Sequence, residues 1–199
     1  TRLNVDIRHY KKIHRELILA TRLAFTSSGG NAPKQTIMGG MDNWLFNSRD
    51  ERKSNDPLNP ILNNDQRDLF FTNFATPLRG FNINKLSGTS SILLNVELRA
   101  PLVKYFYRGP ITSNFLRNFQ LVAFTDVGTA WTGKGPFNRQ NSLNTEIVGG
   151  PPNPFKAAVT NFKNPFLIGY GAGARTILFG YYVKFDAAWG LENYEMQKP

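Results

Sequence analysis

Arg79 stands in the stretch TPLRGFN, Thr76 to Asn82, with Leu78, Gly80 and Phe81 around it, directly after a polar run rich in Asn, Asp and Pro. A lone guanidinium among apolar residues, once out of water, needs a carboxylate that accepts its parallel N–H donors. Asp126, in AFTDVG, offers one, alternating with Phe124 and Gly128. Gly169, Gly171 and Gly173 recur at every second position of a further stretch, and small residues in a row leave a groove where another backbone approaches. Singly, these features also suit a solvated arginine, a carboxylate paired with a neighbouring strand, and simple strand curvature. Together they fit a loop tip that docks on a strand wall through Arg79 and Asp126. Such a pair adds little net stability, because desolvation offsets its attraction, but it fixes one docked position.

Other chemistry is sparse. His9 and His14 flank a turn without a third ligand at metal spacing, so a structural or surface role is expected and no metal. GYGAGA has the look of a dinucleotide fingerprint, but no helix pattern follows to receive a phosphate. No serine sits in a GxSxG elbow and no carboxylate pair lies in an apolar setting, so neither catalysis nor a cofactor is expected. Cysteine is absent, which removes disulfides and thiolate sites. The run SRDERKSNDP, Ser48 to Pro57, reads as a solvated outer loop.

The elements that must position Arg79 and Asp126 show in the period of the chain. Leu3, Val5 and Ile7 alternate with Asn4, Asp6 and Arg8; Leu17, Leu19, Thr21, Leu23 and Phe25 alternate with Ile18, Ala20, Arg22 and Ala24. These are two half-apolar strands joined by a turn, a hairpin over residues 1–26. A long Gly-, Asn- and Pro-rich stretch, 27–88, is interrupted only by IMGGMDNWLF and by the Arg79 motif. Two strands follow in 89–131: Ile92, Leu94, Val96 and Leu98 oppose Asn95, Glu97 and Arg99, and Leu121, Ala123, Thr125 and Val127 oppose Val122, Phe124, Asp126 and Gly128. They are separated by a turn region around Tyr107 to Asn114. A second long loop, 132–165, carries GGPPNPF, and a hairpin over 166–192 turns near Phe179 and Gly180.

About six long strands joined alternately by short and very long connections fit an antiparallel transmembrane β-barrel, all-β, with short periplasmic turns and long extracellular loops. Phe25, Tyr105, Trp131, Tyr181 and Trp189 are placed near strand ends, where aromatic girdles lie. A soluble β-sandwich alternates in the same way, with shorter strands and less lopsided connections. The chain has 199 residues, 41% hydrophobic and 19% charged, with 13% aromatic residues. It lacks any apolar run of transmembrane-helix length, which leaves a barrel open. The net charge of +10 invites a nucleic-acid reading, but the basic residues are scattered, and anionic lipid headgroups satisfy the same charge. The chain begins inside a strand pattern and is expected to be a piece of a longer protein.

PLRGF, then LLNVELRAPL, AFTDVG and GYGAGARTILFGYYVKFDAAWG resemble, in order and spacing, the bacterial surface antigen domain of the BamA and two-partner secretion superfamily. The loop signature falls on Leu78, Arg79, Gly80 and Phe81, the wall signature on Phe124, Asp126 and Gly128, and the glycine motif on Gly169, Gly171 and Gly173. Gly39 and Gly40 precede the loop motif as in the family, although the loop between them and the motif is longer here than usual. The resemblance implies about six C-terminal strands of a roughly sixteen-stranded barrel, an inward-folded extracellular loop, and contact of Arg79 with Asp126. It implies a non-enzymatic role in assembling outer-membrane proteins or translocating polypeptide. Its expected partners are outer-membrane lipid including lipopolysaccharide, client polypeptides and the rest of the parent chain, with no nucleic acid. The chain stops before the family's final strand. An anchor or export barrel for a fused lipase or β-propeller, and a porin-like channel, are the alternatives.

Overall fold

The computed structural model describes residues 1–41, 72–74, 77–107, 109–138, 145–149, 156–160, 163–192 and 195–197. The stretches 42–71 and 150–155, which hold the acidic-basic run of Ser48 to Pro57 and most of GGPPNPF, and Thr76 of the loop motif, lie outside the described residues.

Six long antiparallel strands follow the alternating stretches: β1 (Arg2–His14), β2 (Leu17–Ser28), β6 (Ser90–Ala100), β7 (Gln120–Trp131), β10 (Leu167–Leu178) and β11 (Tyr181–Glu192). With the short β12 (Glu195–Gln197) they form one sheet in the order β1-β2-β6-β7-β10-β11-β12. The strands are 11 to 13 residues long, enough for a tilted bilayer crossing of about 9–11 residues. They lie in one sheet rather than two stacked ones, and the sheet is open, with β1 and β12 at its margins. β12 adds a seventh, three-residue strand beyond the six long ones.

The two hairpins end in residues of left-handed backbone, Arg15 at φ 47° and the pair Phe179 and Gly180 at 51° and 82°. Two successive left-handed residues match the twist of flanking strands in a tight hairpin. The third short connection differs from a simple turn. Between β6 and β7 the chain forms two single-turn helices, α1 (Leu102–Phe106) and α2 (Asn114–Asn118). Tyr105 therefore sits on a helix and not at a strand end. Its stretch breaks the two-residue alternation at Pro101, which has no backbone N–H to donate to a ladder.

The long connections hold small sheets of their own. β3 (Gln35–Met38) lies between β4 (Thr72–Phe74) and β5 (Leu86–Gly88), and β8 (Thr145–Gly149) pairs with β9 (Lys156–Thr160). Strands of three to five residues carry too few positions to show a period, which is why the stretch 27–88 reads as aperiodic.

Register assigns the faces of the large sheet. Asp6, Arg22, Asn95, Asp126, Gly169 and Gly190 occupy one face in neighbouring strands, with Glu97, Phe124 and Gly171 alongside. On that face β3 and the Arg79 loop pack, burying a core of Met38, Leu78, Phe81, Leu86, Leu93, Ala130 and Leu167. The opposite face carries Leu3, Ile7, Leu94, Leu121, Ile168 and Phe185, all exposed, Phe185 at 70%. A water-soluble sheet turns its apolar face inward. Here the charged face is covered where the loop docks on β6, β7, β10 and β11, β1 is exposed on both of its faces, and the apolar face is bare.

Candidate functional site

The site is built where the Arg79 loop meets β6, β7, β10 and β11. Arg79 is 3% exposed and Asp126 is fully buried. The Nε of Arg79 donates to Asp126 Oδ2 at 2.6 Å and its Nη2 to Oδ1 at 2.7 Å, the two-pronged geometry a carboxylate accepts best. The Arg79 backbone N–H also donates to Oδ2, at 3.3 Å. Below the guanidinium lies the Phe124 ring, its centroid 3.6 Å from Cζ, so the cation is stacked as well as paired. Burial opposes the charge on Arg79, and hydrogen bonding to Asp126 with the fields of Asp126 and Glu97 outweighs it, holding the guanidinium above its ordinary pKa.

Three further strands contribute to the same cluster. Asn95 donates its amide to Asp126 Oδ1 at 2.7 Å and also reaches the Pro77 carbonyl at 3.4 Å, tying β6 to both loop and wall. Glu97 accepts from Arg79 Nη1 at 2.8 Å, from Arg175 at 2.9 and 3.1 Å, and from Arg99 at 2.7 and 3.0 Å. Asp186 on β11 lies 3.6 Å from Arg79 Nη1 and 3.4 Å from Lys184 Nζ. The carboxylates Asp126, Glu97 and Asp186 thus face four cations, and the arginines bridge β6, β7 and β10 through a single network. Farther along the loop, Lys85 pairs with Glu192 of β11.

Glycines set the approach distance. A Cβ on Gly169 would lie 1.9 Å from the Arg79 carbonyl oxygen, and one on Gly190 would lie 2.5 Å from the Phe81 ring and 2.6 Å from the Gly80 oxygen. Gly80 itself has φ +88°, a backbone that suits glycine, and abuts the Trp189 carbonyl carbon. Gly128 receives Met38 and Leu78 against the wall. The preceding Gly39 and Gly40 cradle the tip: a Cβ on Gly39 would meet the Asn82 oxygen at 2.0 Å, and Gly40 N–H donates to the Phe81 carbonyl at 2.9 Å.

The structure thus brings Leu78, Arg79, Gly80 and Phe81 together with Phe124, Asp126, Gly128 and Gly169. Gly171 and Gly173 serve differently from the loop groove expected of them. Gly171 makes room for the Phe124 ring and Gly173 for the Asp186 carboxylate. Asn95, Glu97, Arg175, Asp186 and Gly190 belong to the site although only the alternation of their strands marks them in the sequence. Among the girdle candidates, Trp131 ends β7, Tyr181 opens β11, and Trp189 stacks with Tyr170 at 6.2 Å on the bare face, where Phe25 also lies. His14 lies beside Tyr105, and His9 is on β1, on the face opposite the Arg79 cluster.

No protein-family model, curated protein or solved structure matches this chain. The cluster's charges are spent on one another, and what such an arrangement does is hold a loop against a wall in one position.

Proposed function

We propose that this chain is part of the wall of an outer-membrane β-barrel of the bacterial surface antigen type, which assembles outer-membrane proteins or moves polypeptide across that membrane. The observation that carries the reading is the docking of the Arg79 loop on a charged sheet face whose reverse side is apolar and bare. An apolar outer face meets lipid, and a polar inner face lines the lumen. The open sheet is consistent with further strands of the parent chain pairing with its margins, since unpaired strand edges are not tolerated in hydrocarbon. The buried loop stiffens β6, β7, β10 and β11 into one body, and a wall stiff on one side and weak at a seam admits a client strand by edge pairing.

The test is Arg79→Ala and Asp126→Ala in the full-length protein in its host, following heat-resistant barrel mobility on gels and the abundance of other outer-membrane proteins. Depletion of clients in both variants, with the protein still present in the membrane, is expected. An unaltered outer-membrane proteome beside a loosened barrel would overturn the assembly role and favour an anchor for an attached domain.

A further inference from the structure

The β6–β7 connection carries a feature that the loop latch leaves unused. Thr176 lies on the bare face of β10 by register, yet it is buried, and its hydroxyl donates to the Phe115 carbonyl at 2.9 Å. So α2 is folded up against the outside of the wall, on the side assigned to lipid, rather than beneath the strands. At its other end the connection reaches the β1–β2 turn, where the Tyr105 ring packs 5.2 Å from Phe106 and lies under Arg15 at 5.4 Å. Along this rim Phe106, Leu116 and Phe179 are exposed, Phe179 at 90%.

Charge accompanies these aromatics with one sign. The stretches 9–17 and 100–120 hold six Lys or Arg and a single acidic residue, Glu16. Lys12 pairs with Glu16 at 3.1 Å. Lys11, Arg15, Lys104 and Arg117 have no carboxylate partner among the described residues. Apolar side chains beside uncompensated cations, at the edge of an apolar wall, are the composition that seats in the headgroup region of an anionic leaflet.

We infer that the short-connection rim, built from α1, α2 and the β1–β2 turn, is a binding surface for anionic glycerophospholipid. Phe106, Phe115 and Leu116 enter the acyl boundary while Arg15, Lys104 and Arg117 pair with headgroup phosphates. The inference rests on the barrel reading for its geometry. It adds that the leaflet touching the short connections is selected by headgroup charge.

The experiment refolds the full-length protein into vesicles of phosphatidylcholine alone and of phosphatidylcholine with one-fifth phosphatidylglycerol. It measures insertion by heat-resistant gel mobility, and lipid selection by the phosphatidylglycerol retained after mild detergent extraction. The wild type is expected to enrich phosphatidylglycerol, and each cation removed is expected to cost about five-fold in anionic partitioning. The triple variant Arg15→Gln, Lys104→Gln, Arg117→Gln then inserts into phosphatidylcholine as the wild type does and loses the enrichment; Lys104→Arg keeps it. If the triple variant fails to fold, Lys104→Gln alone carries the comparison. Insertion with no enrichment, or enrichment that survives neutralisation, overturns the inference and leaves the barrel reading intact. Displacement of the lipid by polyglutamate at equal charge also overturns it, marking a surface for acidic polypeptide instead. Failure of the wild type to insert into either vesicle sinks the barrel reading, and with it the leaflet geometry on which this inference rests.

Discussion

Arg79 is surrounded by carboxylates from three strands, Asp126, Glu97 and Asp186, and this decides how it responds to substitution. Among the described residues, Arg79→Ala leaves buried Asp126 with only Asn95 as a side-chain donor, and losing one partner of a buried pair costs about 3–5 kcal/mol. Arg79→Lys keeps the charge but gives up one arm of the fork, about 1.5–3 kcal/mol for a hydrogen bond to a charged group. Urea unfolding of the full-length protein in detergent micelles should rank wild type, Lys and Ala in that order. The reciprocal exchange Arg79→Asp with Asp126→Arg is predicted not to restore stability, because a carboxylate at 79 would face Glu97 and Asp186. Recovery to wild-type stability would show that those two carboxylates exert no force on the site. Gly169→Ala should expel the loop, since its Cβ would overlap the Arg79 carbonyl oxygen, whereas Gly29→Ala has open space around it. Limited proteolysis of the loop should therefore accelerate in the first variant and not in the second.

At the scale of elements, the two faces of the sheet make opposite demands. Leu94 faces away from the loop in the middle of β6, and Leu94→Arg is expected to cost about 2–4 kcal/mol of folding into vesicles, the range for a cation near the bilayer midplane. The same substitution in a soluble protein with that face in water would be nearly neutral, so reversible folding titrations in vesicles separate the two settings. These faces are legible in the sequence because period-two alternation survives in every long strand, from Leu3, Val5 and Ile7 to Tyr181, Val183 and Phe185. Arg79 and Asp126 are legible for a similar reason: each is conspicuous against apolar neighbours. Glu97 and Asp186 are not, because nothing local distinguishes a wall charge that meets the loop from one elsewhere on the same face of the sheet. That distinction depends on cross-strand register, which the hairpin turns and the long connection set together. Gly173, grouped with the loop groove by its spacing, faces Asp186 for the same reason. Tyr105 escapes the strand pattern because α1 is a single turn, too short for a helical period to appear.

The described residues are organised around one large open sheet that hides charge where the loop docks and displays apolar surface on its reverse. A core of seven residues joins the loop and the β3 sheet to that wall, and the ion cluster adds position rather than much affinity. This division of labour predicts that the loop remains associated but loses its unique placement when the cluster is broken. The measurement that tests this most directly is a double-mutant cycle on Arg79→Ala and Asp126→Ala in the full-length protein, read as unfolding free energy in micelles. Docking as described predicts strong coupling, about 2 kcal/mol or more, so that the double variant is scarcely less stable than either single one. Additive losses, with coupling below about 0.5 kcal/mol, would mean that the two residues do not meet in the folded protein and would contradict the docked loop.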